Sequence, residues 1–278
     1  MKYSHTLKGR VSQLTMETNK IYQGDCLELM KQVESNSVNL ILCDLPYGVT
    51  QNKADKVIDL EKLWEQYKRI IKDDGTIVLT AQQPFTTDLI NSNRGMFKYE
   101  LIWHKELPSG FLNANRQPLR VHENILVFYK NLGTYNPQKV KGSKNHSKGS
   151  MKTDVNNNYG KYGKVDNTEE LGEMKHPQSI ISVMKPHPSK AEHPTEKPVE
   201  LAEWIIKTYS NEGNLILDNC IGTGWTAIAC KTFNRNFIGM DLNKDYIIIA
   251  EDRLSKLNNG NDGIPPKPKD LGILPTII

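Results

Sequence analysis

A carboxylate, a proline and an aromatic ring stand together at Asp44-Leu45-Pro46-Tyr47. Residues 38–43, just before them, form a short apolar run that is typical of a buried strand delivering a loop at its carboxyl end. The carboxylate could accept a hydrogen bond from a planar exocyclic amino group, the Leu45 carbonyl could accept a second, and Tyr47 could stack on the ring. A strand-ending turn with a half-buried tyrosine explains the same residues equally well, so the tetrad alone leaves both interpretations open.

A second loop suited to ligand binding covers residues 217–226, between a predicted strand and a predicted helix. Gly222 and Gly224 would let the backbone approach a ligand at the helix N-terminus. Asp241 ends the next predicted strand, and this order of elements is typical of a nucleoside site with the acid on the ribose hydroxyls. The third glycine of the dinucleotide pattern is absent, which argues against NAD, and Asp218 suits a ligand with a positive group. An ordinary tight turn with a capping acid is the alternative.

Predicted strands and helices alternate around these loops, which favours an α/β fold with a parallel sheet. Strands are predicted at residues 20–22, 38–43, 76–79, 99–103, 124–129, 214–217 and 237–240. Helices are predicted at residues 25–33, 59–72, 84–91, 198–209, from 225 onward, and at 244–257.

The composition changes between residues 131 and 190, where Asn, Gly, Lys and Ser are frequent and periodicity is weak. A compact domain rarely carries so long an irregular stretch without a use. The predicted organisation is a polar arm at 1–18, one half of the α/β domain at 19–130, an insert at 131–190, the other half at 191–257, and a loosely held tail at 258–278.

Bulk composition restricts the class of protein. The chain has 278 residues and a formal net charge of +4, which tolerates a polyanionic partner without requiring one. No apolar run approaches the roughly 18 residues of a membrane span, and the polar N-terminus does not resemble a signal peptide. The four cysteines lack a C-x-x-C pair, so neither a zinc site nor a disulfide framework is expected. We therefore expect a cytoplasmic protein without a bound metal or a membrane contact.

Taken together, the loops resemble those of S-adenosylmethionine-dependent DNA amino-methyltransferases. Asp44-Leu45-Pro46-Tyr47 resembles that family's Asp-Pro-Pro-Tyr motif, and residues 218–226 resemble its cofactor loop. Residues 21–27, 115–123 and 193–198 are similar to further family elements, the second of them to phage and prophage members. The tetrad precedes the cofactor loop and the insert lies between them, an order that resembles the beta group.

The resemblance implies a doubly wound, mostly parallel seven-stranded methyltransferase sheet with the insert as target-recognition region. It implies S-adenosyl-L-methionine as cofactor and double-stranded DNA as partner, and it leaves a homodimer open. The implied catalytic residues are Asp44, Leu45, Pro46 and Tyr47. The implied cofactor-binding residues are Asp25, Cys26, Asp44, Thr195, Glu196, Lys197, Asp218, Cys220, Gly222, Thr223, Gly224, Trp225, Thr226 and Asp241. Three positions depart from the family pattern: Leu45 replaces a proline, Cys220 replaces a usual phenylalanine, and Trp225 stands where threonine is frequent.

The implied reaction is site-specific methylation of adenine N6, by base flipping and direct methyl transfer. Asp at the first tetrad position favours adenine, since related cytosine-N4 enzymes commonly begin the tetrad with Ser. Methylation of RNA or of a protein amide, where Asn is common, and a non-catalytic DNA-binding relative are further alternatives.

Basic residues in and near the insert are candidates for DNA contact, because lysine and arginine neutralise phosphates. Each could equally be a solvated surface residue or, for the arginines, a partner of a nearby acid. The candidates are Arg116, Arg120, Lys139, Lys141, Lys144 and Lys148.

Overall fold

The computed structural model describes residues 16–48, 55–142, 174–186 and 196–258. The predicted arm and tail fall almost wholly outside these ranges, as does the middle of the predicted insert. Among the described residues, no helix combines the length and apolar character needed to cross a membrane.

The strands give the fold its α/β class. In chain order they are β1 Lys20–Gln23, β2 Val38–Asp44, β3 Ile71–Ala81, β4 Phe97–Ser109, β5 Arg120–Tyr129, β6 Val140–Lys141, β7 Met174–Lys175, β8 Ile180–Ser182, β9 Leu215–Asp218 and β10 Asn236–Asp241. Eight of them form one mixed sheet in the order β1-β10-β9-β2-β3-β5-β4-β8. Within it β5 runs antiparallel to both neighbours, whereas the remaining described pairs are parallel. β6 and β7 pair antiparallel in a separate small sheet.

The eighth strand corrects the expectation of seven. β8 comes from the end of the segment that the sequence assigned to the insert, and it pairs parallel with β4 at the edge of the main sheet. Ile181 and Val183 are 5% and 4% exposed and belong to the apolar core. A strand of three residues is too short for its periodicity to stand out in an irregular segment.

Helices cover both faces of the sheet. They are α1 Cys26–Met30, α2 Leu60–Ile70, α3 Phe85–Ser92, α4 Val199–Tyr209, α5 Trp225–Thr232 and α6 Lys244–Asn258. In β2, Leu40 and Leu42 pack into the core with α4 and α5, whereas Ile41 and Cys43 pack into the core with α1, α2 and α3. Because side chains alternate along a strand, burial on both faces produces the continuous apolar run in the sequence.

The observed bounds of α2, β4 and β5 differ from the predicted ones for identifiable reasons. The helix predicted to reach residue 72 ends at Ile70, because Ile71 adopts an extended backbone and begins β3. β4 and β5 are much longer than the predicted spans 99–103 and 124–129, since the two strands continue as an antiparallel pair to Ser109 and Arg120. That extension is largely polar and half-buried or exposed, so it carries no apolar run.

The register of the parallel strands brings the two predicted loops together. Leu40 of β2 lies opposite Ile216 of β9, so these strands are neighbours. β2 and β9 end at Asp44 and Asp218, on the same edge of the sheet. In an open α/β sheet this carboxyl edge, where the strand order reverses, is the usual place for a ligand.

Candidate active site

Asp44 is the last residue of β2, and its Oδ1 atom accepts two hydroxyl hydrogen bonds. Tyr47 donates one of them over 2.7 Å. Thr80, which lies opposite Asp44 in β3, donates the other. The ring of Tyr47 stacks on Phe85, with centroids 5.7 Å apart and planes 25° apart. The tetrad is therefore a fixed arrangement, in which the tyrosine hydroxyl contacts the carboxylate and its ring rests on α3.

The second oxygen of the carboxylate carries an ion pair. Lys197 Nζ lies 2.7 Å from Asp44 Oδ2 and 3.3 Å from Glu123 Oε2, and the Lys197 side chain is only 7% exposed. Burial alone would lower the pKa of this ammonium group, but Asp44 and Glu123 outweigh burial and raise it. The sequence placed Lys197 with the cofactor residues, whereas the structure places it on the carboxylate of the tetrad.

Glu123 and Lys105 complete this buried network, and the sequence did not identify either as a site residue. The single proton of the Tyr47 hydroxyl is shared between Asp44 and Glu123, whose Oε2 lies 3.2 Å from the hydroxyl, and Glu123 pairs with Lys105 over 3.3 Å. Burial would raise the pKa of Glu123, but Lys197 and Lys105 together hold it below its usual value. Burial lowers the pKa of Lys105, although Glu123 opposes this shift. Two carboxylates and two ammonium groups thus balance in charge in a largely water-free place.

The signal for Glu123 was present in the sequence but weak. It lies in the segment 115–123 that resembles a family element, yet its distance along the chain from Tyr47 hides the contact. The sequence signal for Lys105 was weaker still. Lys105 follows the buried strand residues Leu101 and Trp103 at the same alternating spacing, where an apolar residue is expected.

Asp218, at the end of β9, is a buried carboxylate with an unused oxygen. Its Oδ1 accepts the backbone N–H of Cys220 over 3.1 Å. Within the part of the chain that the structure describes, its Oδ2 and the Thr226 Oγ1 are buried without a hydrogen-bond partner. Burial raises the pKa of Asp218 to about 7. An orphaned buried carboxylate oxygen is costly unless a donor or a cation meets it, so this donor set fits the cationic methionine end of S-adenosylmethionine.

The two glycines of the loop have different functions in the fold. Gly224 has φ +91°, and a Cβ there would lie 2.9 Å from the Cβ of Ala250 in α6, so close packing requires glycine. Gly222 has φ +52°, and an added Cβ would meet nothing within 4 Å among the described residues. Open space at Gly222, in the loop that begins at Asp218, is what a bound ligand requires.

Asp241 ends β10 and closes the loop from the other side. Its Oδ2 accepts the N–H of Gly222 over 2.8 Å, and its Oδ1 accepts the N–H of Asn243 over 2.8 Å. The predicted ribose acid therefore lies at the glycine loop. Arg253, which the sequence did not identify as a site residue, donates to the Thr223 carbonyl of the same loop over 3.0 Å. It also donates to Glu196 Oε1 over 2.7 Å.

Other predicted cofactor residues occupy structural positions around this loop. Asp25 caps α1 by accepting the N–H of Leu27 over 2.8 Å. Cys26 and Cys220 lie side by side, and a hydrogen bond between them, together with burial, raises the pKa of the Cys26 thiol. Trp225 is 3% exposed and packs in the core. Thr195 lies outside the described residues.

The predicted DNA-contacting residues divide into three groups. Arg116 is exposed in the connection from β4 to β5, and Arg120 is half-buried as the first residue of β5, both at the carboxyl edge of the sheet. Lys139 and Lys141 follow Asn136, which is fastened to the C-terminal end of α4 at the opposite edge. The structure therefore does not bring these two lysines beside the tetrad, and Lys144 and Lys148 lie outside the described residues. No cluster of His, Cys, Asp or Glu among the described residues is arranged to hold a metal ion.

Comparison with known proteins agrees with this geometry. A family model described as DNA methylase, N6_N4_Mtase, matches residues 38–252, and the chain belongs to that family. It is 32% identical to the type II methyltransferase M1.MboII of Moraxella bovis, over 87% of this chain and 98% of that protein. It is 26% identical to the DNA adenine methyltransferase YhdJ of Escherichia coli (strain K12), over 86% of this chain and 83% of that protein.

Solved structures share the fold. The M1.HpyAVI–SAM complex superposes with a TM-score of 0.57 at 25% identity, covering 84% of this chain and 98% of that one. The cytosine-N4-specific PvuII DNA methyltransferase superposes with a TM-score of 0.60 at 14% identity, covering 88% and 93%, a likeness of fold alone. The chain is thus a DNA methyltransferase of the N6/N4 family with S-adenosylmethionine as its cofactor, and the prediction is confirmed at that level.

Proposed function

We propose that this protein is a site-specific adenine-N6 DNA methyltransferase of the beta group that flips its target base out of double-stranded DNA. The observation that carries the proposal is the position of Asp44 and Asp218 on neighbouring strands. The Asp44 carboxylate accepts a hydrogen bond from Tyr47 of the tetrad, and the Asp218 carboxylate is buried with one oxygen unused. An amino group held at Asp44 and a cofactor held at Asp218 would meet at the same edge of the sheet.

The tetrad would act by orienting the amino group. An aromatic amine is a weak nucleophile because its lone pair is delocalised into the ring. Hydrogen bonds from its two N–H groups to Asp44 and to the Leu45 carbonyl would favour a pyramidal nitrogen with an available lone pair, so positioning and electrostatics carry the catalysis. Bound S-adenosylmethionine supplies a methyl group activated by a sulfonium. As the new N–C bond forms, the S–CH3 bond would break and leave a neutral thioether, and Asp44 would take up the amino proton, directly or through water.

The network around Asp44 sets the conditions for this step. Lys197 and the two hydroxyl groups occupy both carboxylate oxygens, so an incoming amino group must share or displace one of these partners. The Lys197 ammonium lies 2.7 Å from Asp44 Oδ2 and so holds the carboxylate in place. Lys197 itself stays charged because Asp44 and Glu123 both raise its pKa.

The cofactor assignments follow from the glycine loop. Asp218, Gly222, Thr223, Gly224 and Thr226 would hold the methionine end, with Asp218 facing the positive charge. Asp241 would hold the ribose hydroxyls by exchanging its bond to the Gly222 N–H. Asp25 and Cys26 would lie along the adenine side of the cofactor. Thr195 and Glu196 would also line the cofactor site.

Adenine is preferred over cytosine because the tetrad begins with aspartate, and the likeness to the adenine enzyme YhdJ supports this choice. The fold likeness to the cytosine-N4-specific PvuII enzyme keeps cytosine N4 as the second candidate. Transfer of a tritiated methyl group to DNA, followed by nucleoside analysis, tests both. We expect the label in N6-methyladenine; label in N4-methylcytosine would replace the proposal with the second candidate. Label in RNA or protein alone, or no label at all, would contradict both candidates.

Three further parts of the proposal rest on resemblance. The segment 131–190 would act as target-recognition region, the enzyme would work in the cytoplasm, and a homodimer stays open. Modification-sensitive sequencing of DNA from cells that express the protein would report the methylated base and its sequence context together.

A further inference from the structure

The connection between β4 and β5 displays two adjacent large apolar side chains at the carboxyl edge of the sheet. Phe111 is 79% exposed and Leu112 is 97% exposed. They lie on a single helical turn, Phe111–Asn113, at the end of the long β4–β5 extension. Large apolar groups placed side by side on a surface mark a place that a partner covers.

The turn holds these side chains in a defined position. Gly110 enters it with φ +85°, a conformation that glycine adopts without strain. The N–H of Asn113 donates to the Gly110 carbonyl over 2.9 Å, and that of Arg116 donates to the Asn113 carbonyl over 2.8 Å. Below the turn, the Ser109 hydroxyl donates to the Arg120 carbonyl over 3.2 Å. Contact with a partner would therefore require little additional ordering of the backbone.

The turn is coupled to the catalytic network. Lys105 Nζ donates to Ser109 Oγ over 3.0 Å and pairs with Glu123 over 3.3 Å. Glu123 in turn accepts the hydroxyl of Tyr47. A cleft of about 370 Å³ lies between the turn and the residues that follow β3, and its lining includes Gln82, Pro84, Gly110 and Arg120. The turn is thus connected through Lys105 and Glu123 to Tyr47 of the tetrad, and the apolar pair lies at the same edge of the sheet as Asp44.

The surroundings of the pair match a nucleic acid in charge. Residues 107–122 contain Arg116 and Arg120 and no Asp or Glu. Asn113 and Gln117 add amide groups next to the apolar pair, and both are exposed. Arginine and amide side chains bind phosphates and base edges, and apolar side chains such as Phe and Leu are the groups that proteins insert between base steps.

We propose that Phe111 and Leu112 form a wedge that enters the DNA base stack and fills the gap left by the flipped base, while Arg116 and Arg120 bind the flanking phosphates. This inference rests on the proposed DNA methylation. The wedge would offset part of the cost of unstacking and unpairing the target base. Its effect should therefore depend on how firmly that base is paired.

The test uses the full chain and a DNA duplex carrying the site that sequencing of wild-type-modified DNA identifies. One form of the duplex has the normal pair at the target base, and the other has an abasic position opposite it, so that flipping costs less. The double variant Phe111→Ala/Leu112→Ala is compared with Leu132→Ala, which removes a side chain that is 73% exposed beyond the other end of β5. Leu112→Met, which keeps an apolar side chain, serves as the conservative variant.

We expect the double variant to lose about tenfold or more in kcat/KM on the paired duplex, and to stay within about threefold of the wild type on the abasic duplex. Leu132→Ala should resemble the wild type on both, and Leu112→Met should keep more activity on the paired duplex than the double variant does. An equal loss on both duplexes, or no loss on either, would overturn the wedge. A lower mass of the double variant in analytical ultracentrifugation would instead make the turn a subunit contact. If the wild type methylates no DNA, the proposed function itself fails, and the wedge with it.

Discussion

The ammonium group of Lys197 lies 2.7 Å from a carboxylate oxygen of Asp44, although 153 positions separate the two residues in the chain. Lys197 lies two residues before α4, Asp44 ends β2, and Glu123 lies 3.3 Å from the same ammonium group. The tetrad residue that would receive the amino group is therefore held by a counter-ion that the second half of the domain supplies.

Replacing Lys197 by methionine should separate catalysis from cofactor binding. The change leaves Asp44 and Glu123 without their shared cation, which we expect to lower kcat by about a hundredfold or more. Affinity for S-adenosylmethionine, measured by equilibrium dialysis, should stay near the wild-type value. A loss of affinity that matches the loss of kcat would instead show that Lys197 binds the cofactor, as the sequence analysis predicted.

Because breaking a buried ion pair costs about 3–5 kcal/mol, Lys197→Met also needs a folding control. Lys197→Arg keeps the charge and should recover part of the lost kcat. Lys98→Met removes an exposed lysine, whose Nζ lies 5.1 Å from the Tyr129 ring centroid, and should change neither property.

Affinity for S-adenosylmethionine should depend on pH through Asp218. Burial raises the pKa of this carboxyl from 3.8 to about 7, and a positive ligand prefers the ionised form. Calorimetry at about pH 5.5, 7 and 8.5 should show affinity rising up to tenfold for each pH unit below 7, then levelling off. Asp218→Asn should bind weakly, without this pH dependence. A wild-type profile that is flat from pH 5.5 to 8.5 would contradict the role of Asp218.

The same carboxyl should affect the stability of the protein without its cofactor. An acid whose pKa is raised by folding is favoured in its protonated form, so its penalty is absent below the unfolded pKa near 4 and complete above the folded pKa near 7. The wild type should lose a few kcal/mol of stability as the pH rises through this window. In Asp218→Asn that part of the pH dependence should vanish, which urea unfolding at a series of pH values would detect.

Tyr47→Phe should distinguish the hydroxyl from the ring. The variant keeps the stack on Phe85 but removes the hydrogen bonds to Asp44 and Glu123. We expect kcat to fall by about tenfold, with little change in KM for DNA. Tyr47→Ala should lose more, because the ring goes as well. Equal activities of the wild type and Tyr47→Phe would remove the hydroxyl from the mechanism.

The two loop glycines form a matched pair for mutation to alanine. At Gly224 the added Cβ meets Ala250 at 2.9 Å in addition to the strained φ, so Gly224→Ala should destabilise the fold by about 2–3 kcal/mol. At Gly222 the space is open, so Gly222→Ala should cost only about 1 kcal/mol. If that space receives the cofactor, Gly222→Ala should nevertheless bind S-adenosylmethionine poorly. Thermal unfolding with and without cofactor measures both effects, and normal binding by Gly222→Ala would argue against the assignment.

Local patterns were sufficient to predict the two main loops. Asp44 and Asp218 each follow a buried strand, and in a parallel sheet such strands end at one edge, so their proximity follows from the chain order of elements. The glycines at 222 and 224 announce a loop that needs positive φ, which the structure contains.

Contacts between distant side chains were not predictable in this way. Glu123 and Lys105 lie on the antiparallel pair β4–β5, whose register no local signal specifies, so the sequence alone does not predict the contact of Glu123 with the Tyr47 hydroxyl or its ion pair with Lys105. Arg253 belongs to the last helix, where a basic residue normally suggests a solvated face, yet it binds Glu196 and the cofactor loop. Such pairs depend on tertiary packing, which a single sequence does not display.

The pairing of β8 with β4 limits how the proposed target-recognition segment could be exchanged between related enzymes. Because β8 belongs to the main sheet, a replacement of the whole stretch 131–190 would remove an edge strand together with the buried Ile181 and Val183. A replacement that begins after Gly142 and ends before Met174 leaves both sheets paired. If residues 131–190 recognise the target, as proposed above, hybrids with a new target should be joined at these two positions.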